Sequence, residues 1–102
     1  MIITTGNDVA MGEIVQYLGV VRGIVVRATS IGAGLIGGLK ALSGGNIEEF
    51  TRICESARQD AFNRMVQHAH ELSADAIIGM RYDATEFSDT ITEVLAYGTA
   101  SN

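Results

Sequence analysis

Few side chains in this 102-residue chain are suited to chemistry: one cysteine, Cys54, two histidines, His68 and His70, and the carboxylates Asp83, Glu86, Asp89 and Glu93. Thiolate and imidazole are the ligands of zinc and copper, whereas carboxylate oxygens suit hard cations. Spacing restricts both options. His68 and His70 are two residues apart, about 200° around a helix, so one chain cannot close both on one ion. Cys54 and His68 share a helix face but stand roughly 21 Å apart along its axis. A site for a divalent metal on a continuous helix must therefore take Cys54 or His68 from several subunits. Without such a site, Cys54 reads as a small buried hydrophobe, His68 as a core or interface histidine with one satisfied nitrogen, and His70 as solvated. The four carboxylates lack the spacing and central glycine of an EF-hand loop and read as a solvated turn.

The run Gly32-Ala33-Gly34-Leu35-Ile36-Gly37 spells a dinucleotide fingerprint, in which glycines let backbone N–H groups approach a pyrophosphate at a helix N-terminus. That motif also needs an acidic residue ending a second parallel strand about twenty positions later. Here the position falls at Ile53 to Glu55, within a helical pattern, and the chain is too short for a dinucleotide fold. Packing against a neighbour is the simpler use of these glycines. No Ser/His/Asp or Cys/His set is brought together by the spacing, so no catalytic or cofactor-binding residue is assigned. Tyr17, Tyr82 and Tyr97 could line a pocket between subunits, although aromatic residues in strands usually belong to the core.

The element that would carry Cys54 and the histidines runs from Asn46 to Leu72. Asn46 and Glu49 form a capping-box pattern, and no Gly or Pro interrupts the stretch. Glu48 with Arg52, and Asp60 with Arg64, are acid-before-base pairs four residues apart. The apolar residues Ile47, Phe50, Ile53, Cys54, Ala57, Ala61, Phe62, Met65, Val66, Ala69 and Leu72 cover an arc of about 220°, against the ~100° one sheet requires. Such a helix should touch two surfaces, the second being another subunit. Arg58, inside the arc, is expected to snorkel or to meet a carboxylate across an interface.

Around this helix the chain reads as strands. Ile2–Thr5 is short and β-rich. Ile14–Ala28 is apolar on both faces, which predicts a strand covered on both sides or central in its sheet. Gly19 and Gly23 within it mark bends, bulges or close backbone approach. Leu35–Ser43 reads as a weak, glycine-containing helix. Ala76–Thr85, with Ile78, Met80 and Tyr82 on one side, pairs through a turn at Glu86–Asp89 with Thr90–Ala100. The resulting order is ββααββ, an α+β layer with a mainly antiparallel sheet.

Composition narrows the function. A formal net charge of −5 argues against nucleic acid or an anionic membrane as partner. One cysteine cannot form an intrachain disulfide, which fits a reducing, cytoplasmic setting. No segment has the length of a membrane span, and the N-terminus does not read as a secretory leader. A single domain of this size, with twelve glycines, leaves much surface to be covered by self-association.

Three segments in order, Tyr17-Leu18-Gly19-Val20-Val21-Arg22-Gly23, Ala74-Asp75-Ala76-Ile77-Ile78-Gly79 and Tyr97-Gly98-Thr99-Ala100, together with the opening Met1-Ile2-Ile3-Thr4-Thr5, resemble the YbjQ-like family. These are small bacterial proteins labelled "putative heavy-metal-binding". The resemblance covers nearly the whole chain, residues 1–102. It implies a dodecin-like subunit, with a small sheet against a long helix, assembled as a homopentamer, and it implies no established reaction. Ser73 departs from the family's usual glycine just past the helix. If that residue is left-handed, serine costs about 1 kcal/mol there.

Overall fold

The computed structural model describes residues 1–9, 12–28, 47–88 and 91–102. Along the chain come β1 (Ile2–Ile3), β2 (Tyr17–Ala28), α1 (Ile47–Glu71), β3 (Ala76–Ser88) and β4 (Ile91–Ser101). They form one four-stranded sheet in the order β1-β3-β4-β2, with α1 against one face. The β3–β4 and β4–β2 pairs are antiparallel, and only β1 runs parallel to its neighbour β3. This is the expected α+β, mainly antiparallel architecture. The weak helix at Leu35–Ser43, the Asn46 cap and the glycine fingerprint lie outside the described residues, so the described order is ββαββ.

The side of α1 that meets the sheet is narrower than its apolar arc. Ala57, Ala61, Met65 and Ala69 are buried at intervals of four, and Phe62 and Val66 pack beside them. Their partners are Val21 and Val25 of β2, Ile77 and Met80 of β3, and Ala96 and Ala100 of β4. Full burial of a side chain such as Met65 contributes about 1.5–3 kcal/mol. The alanines matter through their smallness. They let the backbone of α1 come down onto β2, where Gly23 meets it; a Cβ there would lie 1.9 Å from the Ala61 carbonyl oxygen. The other glycine singled out in β2, Gly19, has φ +114° and sits at a register shift in the β2–β4 pairing.

Past its last turn α1 stops on a residue in left-handed geometry. Ser73 has φ +57°. Its N–H donates to the His70 carbonyl at 3.0 Å, and the Ala74 N–H donates to the Ala69 carbonyl at 3.1 Å. These two bonds define a Schellman cap, and the hydrophobic contact such caps make is supplied by Ala74 on the core. The residue that departs from the family's glycine therefore stands where glycine is the unstrained choice.

Three sequence expectations change in the folded chain. Among the described residues β2 is an edge strand, covered by α1 on one face only, so its two apolar faces are not both buried. In β3 strict alternation breaks at Gly79 (φ +60°), where the register with β4 shifts between Ile78 and Arg81. The shift places Ile77, rather than Ile78, in the same core cluster as Met80. It is locked by the N-terminal segment, since the Gly79 N–H donates to the Gly6 carbonyl and the Met80 N–H to the Thr4 carbonyl. The β3–β4 hairpin is also longer than its sequence suggests, because β3 continues to Ser88 and only Asp89 and Thr90 separate the strands.

Candidate functional site

Two features of the sheet stand out among the described residues: the edge of β2, which side chains of α1 reach, and the face turned away from α1. The edge comes first. The side chains of Asp60, Arg64 and His68 recur every four residues, a row that drifts only about 40° per step around the helix. Each reaches β2. Asp60 pairs with Arg27, both about half exposed. Arg64 Nη1 donates to the Ile24 carbonyl at 2.6 Å. The Arg22 N–H donates to His68 Nδ1 at 3.2 Å. An unpaired strand edge is a template for further strands, and two of these contacts occupy its backbone at Arg22 and Ile24. Asp60 and Arg64, expected to pair along the helix, are both drawn to β2 because α1 lies against the strand.

The second feature is the outer face. Register with β4 puts Val20 beside Thr99, Ile24 beside Leu95 and Val26 beside Glu93. Val20, Ile24 and Val26 are 61, 39 and 57 % exposed, and Ile91 is exposed near the far end of the same face. Tyr97 and Leu95 are half-buried among them. Ile53 on α1 and Leu72 just past its end are exposed too. Val20, Ile24 and Val26 thus share one exposed strand face, with Arg22 between the first two.

The residues expected to hold metal fare unequally. Cys54, expected to be buried, is exposed on α1. Among the described side chains of α1, those from Thr51 to Ser56 are exposed, and the buried row begins at Ala57. His68 is half-buried with one nitrogen satisfied, and His70 is exposed, both as expected. Asp83 and Glu93 point to the outer face by register, whereas Glu86, one residue out of phase, points to the other. Asp89 lies outside the described residues. Among the described residues, no three His, Cys, Asp or Glu side chains are grouped as a metal site would need. The tyrosines are likewise divided. Tyr82 is on the helix side, with the Arg58 guanidinium 5.7 Å from its ring centroid, and Tyr97 is on the opposite face. Arg58 thus escapes the apolar arc by stacking on an aromatic ring of its own chain.

Comparison with known proteins turns on the full length of the chain. A family described as "Putative heavy-metal-binding" matches residues 1–102. The chain belongs to the YbjQ-like family. A UPF0145 protein of Legionella pneumophila (strain Corby) is 54% identical over 100 residues, covering 98% of this chain and 95% of the relative. Those of Solibacter usitatus (strain Ellin6076) and Chromobacterium violaceum are 52% and 51% identical over 98 residues, covering 96% of this chain and 88% and 84% of theirs.

The heavy metal in the family's description can be tested against the donors of this YbjQ-like chain. Metal ligation needs a free lone pair on a neutral imidazole or a thiolate. The His68 Nδ1 lone pair is engaged by Arg22, and Cys54 has no second soft ligand beside it on α1. Within one chain, the described residues do not fit a metal. Sequence inspection missed the roles of Asp60 and Arg64, although their spacing with His68 was a visible signal: a polar row bordering an apolar arc. No helix among the described residues is long and apolar enough to cross a membrane.

Proposed function

We propose that this protein is a non-catalytic homo-oligomer, whose role is assembly or binding rather than turnover, and whose subunits meet through the outer face of the sheet. The observation that carries this reading is the exposure of Val20, Ile24 and Val26, uncovered among the described residues, on a strand whose opposite face buries Val21 and Val25 against α1. Further support comes from the shape. The chain has a radius of gyration of 16.8 Å, against the ~13 Å of a self-contained domain of this length. Five copies is the number the family resemblance implies. The partner in this reading is the protein itself, with neither nucleic acid nor membrane, and the acidic balance of the chain agrees. A cytoplasmic location is supported by the free thiol of Cys54.

Light scattering behind a sizing column tests it. The expected mass is that of five chains, and Ile24→Asp with Val26→Asp should reduce it to one. A wild-type protein that remains monomeric at micromolar concentration overturns the reading.

A second reading, metal held between subunits, is favoured by one observation: the Cys54 thiol is exposed where copies could bring several thiolates together. Metal analysis of the purified protein, followed by zinc titration of Cys54→Ala, separates it from the first reading. Unchanged zinc affinity in that variant removes Cys54.

A further inference from the structure

We infer that His68 is a fixed hydrogen-bond acceptor that closes the edge of β2, and that this role is incompatible with its serving as a heavy-metal ligand. The reasoning begins with the backbone. β2 lies at the end of the sheet, so some of its N–H and C=O groups have no partner strand among the described residues. The Arg22 N–H is one of the outward groups, and His68 Nδ1 accepts it at 3.2 Å. Two residues along, the Ile24 carbonyl is met by Arg64 at 2.6 Å. Donor and acceptor of the strand are thus each matched by a side chain of opposite type, one turn of α1 apart. The helix is held in this register by Gly23, against which the Ala61 carbonyl and Met65 nitrogen are seated.

The chemistry of imidazole then constrains the rest. A neutral ring has one N–H and one lone pair. With Nδ1 accepting from Arg22, the hydrogen must be on Nε2. A metal at Nε2 requires that hydrogen to move to Nδ1, where it would face the Arg22 N–H, donor against donor. A metal at Nδ1 displaces the Arg22 contact directly. Either mode opens the strand edge that the Arg64 and His68 pair keeps closed. The metal in the family's description therefore finds no ligand in His68 unless β2 and α1 separate.

The test uses the full-length protein labelled with nitrogen-15. In the wild type, nitrogen–proton correlations of the ring should show the Nε2–H tautomer, with a coupling across the hydrogen bond between the Arg22 nitrogen and His68 Nδ1. Equimolar zinc chloride should leave both unchanged. In His68→Ala the Arg22 amide should exchange with solvent faster, by on the order of tenfold. His68→Asn, whose side-chain oxygen can take the place of Nδ1, should restore most of the protection. A wild-type ring in the Nδ1–H form overturns the inference, as does zinc that shifts the His68 resonances while the Arg22 amide stays protected. The tautomer is read in the wild type, so the outcome stands even where a variant fails to fold. Neither result depends on how many subunits assemble, which keeps it separate from the proposed oligomer.

Discussion

Gly23→Ala is the sharpest probe of how α1 sits on the sheet. Gly23 has no left-handed backbone to protect, so alanine would ordinarily stabilise by ~0.4–1 kcal/mol through the unfolded chain. The folded contacts reverse the sign. The added Cβ would lie 1.9 Å from the Ala61 carbonyl oxygen, 2.5 Å from the Met65 nitrogen and 2.8 Å from the Arg64 Cβ, whereas real Cβ contacts stay beyond 3.0 Å. Two of these three atoms are helix backbone and cannot rotate away, so α1 itself must retreat. A retreat of about 1.1 Å stretches the Arg64–Ile24 bond to about 3.7 Å and the His68–Arg22 bond to about 4.3 Å, both beyond hydrogen-bond range. The charged bond is worth ~1.5–3 kcal/mol and the neutral one ~0.5–1.5 kcal/mol. A gap of this width also forfeits a quarter to a half of the dispersion well between the helix and the sheet. Set against the unfolded-state gain, the net loss is about 3 kcal/mol, a large share of the ~5–15 kcal/mol that stabilises a domain. Urea denaturation followed by far-ultraviolet circular dichroism, at one protein concentration, measures it. Gly6→Ala is the control, because its Cβ would meet nothing closer than Thr4 Oγ1 at 3.4 Å. If Gly23→Ala proves as stable as the wild type, α1 does not rest on β2 in the way described.

Other outcomes follow from single residues. Ser73→Gly should raise stability by about 1 kcal/mol, because it relieves a side chain held at φ +57°; a thermal melt that does not rise counts against the cap. Ser101 carries a buried hydroxyl without a partner among the described residues, so Ser101→Ala should be neutral or stabilising by up to ~1 kcal/mol in urea denaturation. Asp60→Asn removes a half-exposed ion pair with Arg27 and should cost less than ~1 kcal/mol, with the difference vanishing in molar salt. Gly98→Ala directs a Cβ to within 2.6 Å of the buried Ile77 Cγ2 and should cost ~1–3 kcal/mol, read from the shift of the urea midpoint.

Much of the fold was legible because its signals are local. The uninterrupted α1, its end at Ser73, and the alternation of β4 all follow from neighbours a few residues apart. Gly19 and Gly23 were recognisable as places where β2 bends or meets another backbone, but not as which was which. The candidate site was less legible. The spacing of Cys54, His68 and His70 argued against a metal within one helix, yet nothing in the order of residues told that Arg22 would engage His68 or that Cys54 would be exposed. Alternation put Ile78 rather than Ile77 with Met80, because the shift that selects Ile77 is set by contacts with Gly6 and Thr4, more than seventy positions away.

Residue order alone carried the class of the domain, the family, and the excess of apolar surface on α1. Which surface was left uncovered waited on the folded chain. Burial is a property of pairs of elements, and only the strand order β1-β3-β4-β2 places β2, among the described residues, at an edge with one face beneath the helix and the other open. Likewise, the partners of Asp60, Arg64 and His68 were decided when the small side chains of Ala57 and Ala61 let α1 approach Gly23 closely enough for those longer side chains to reach over the strand.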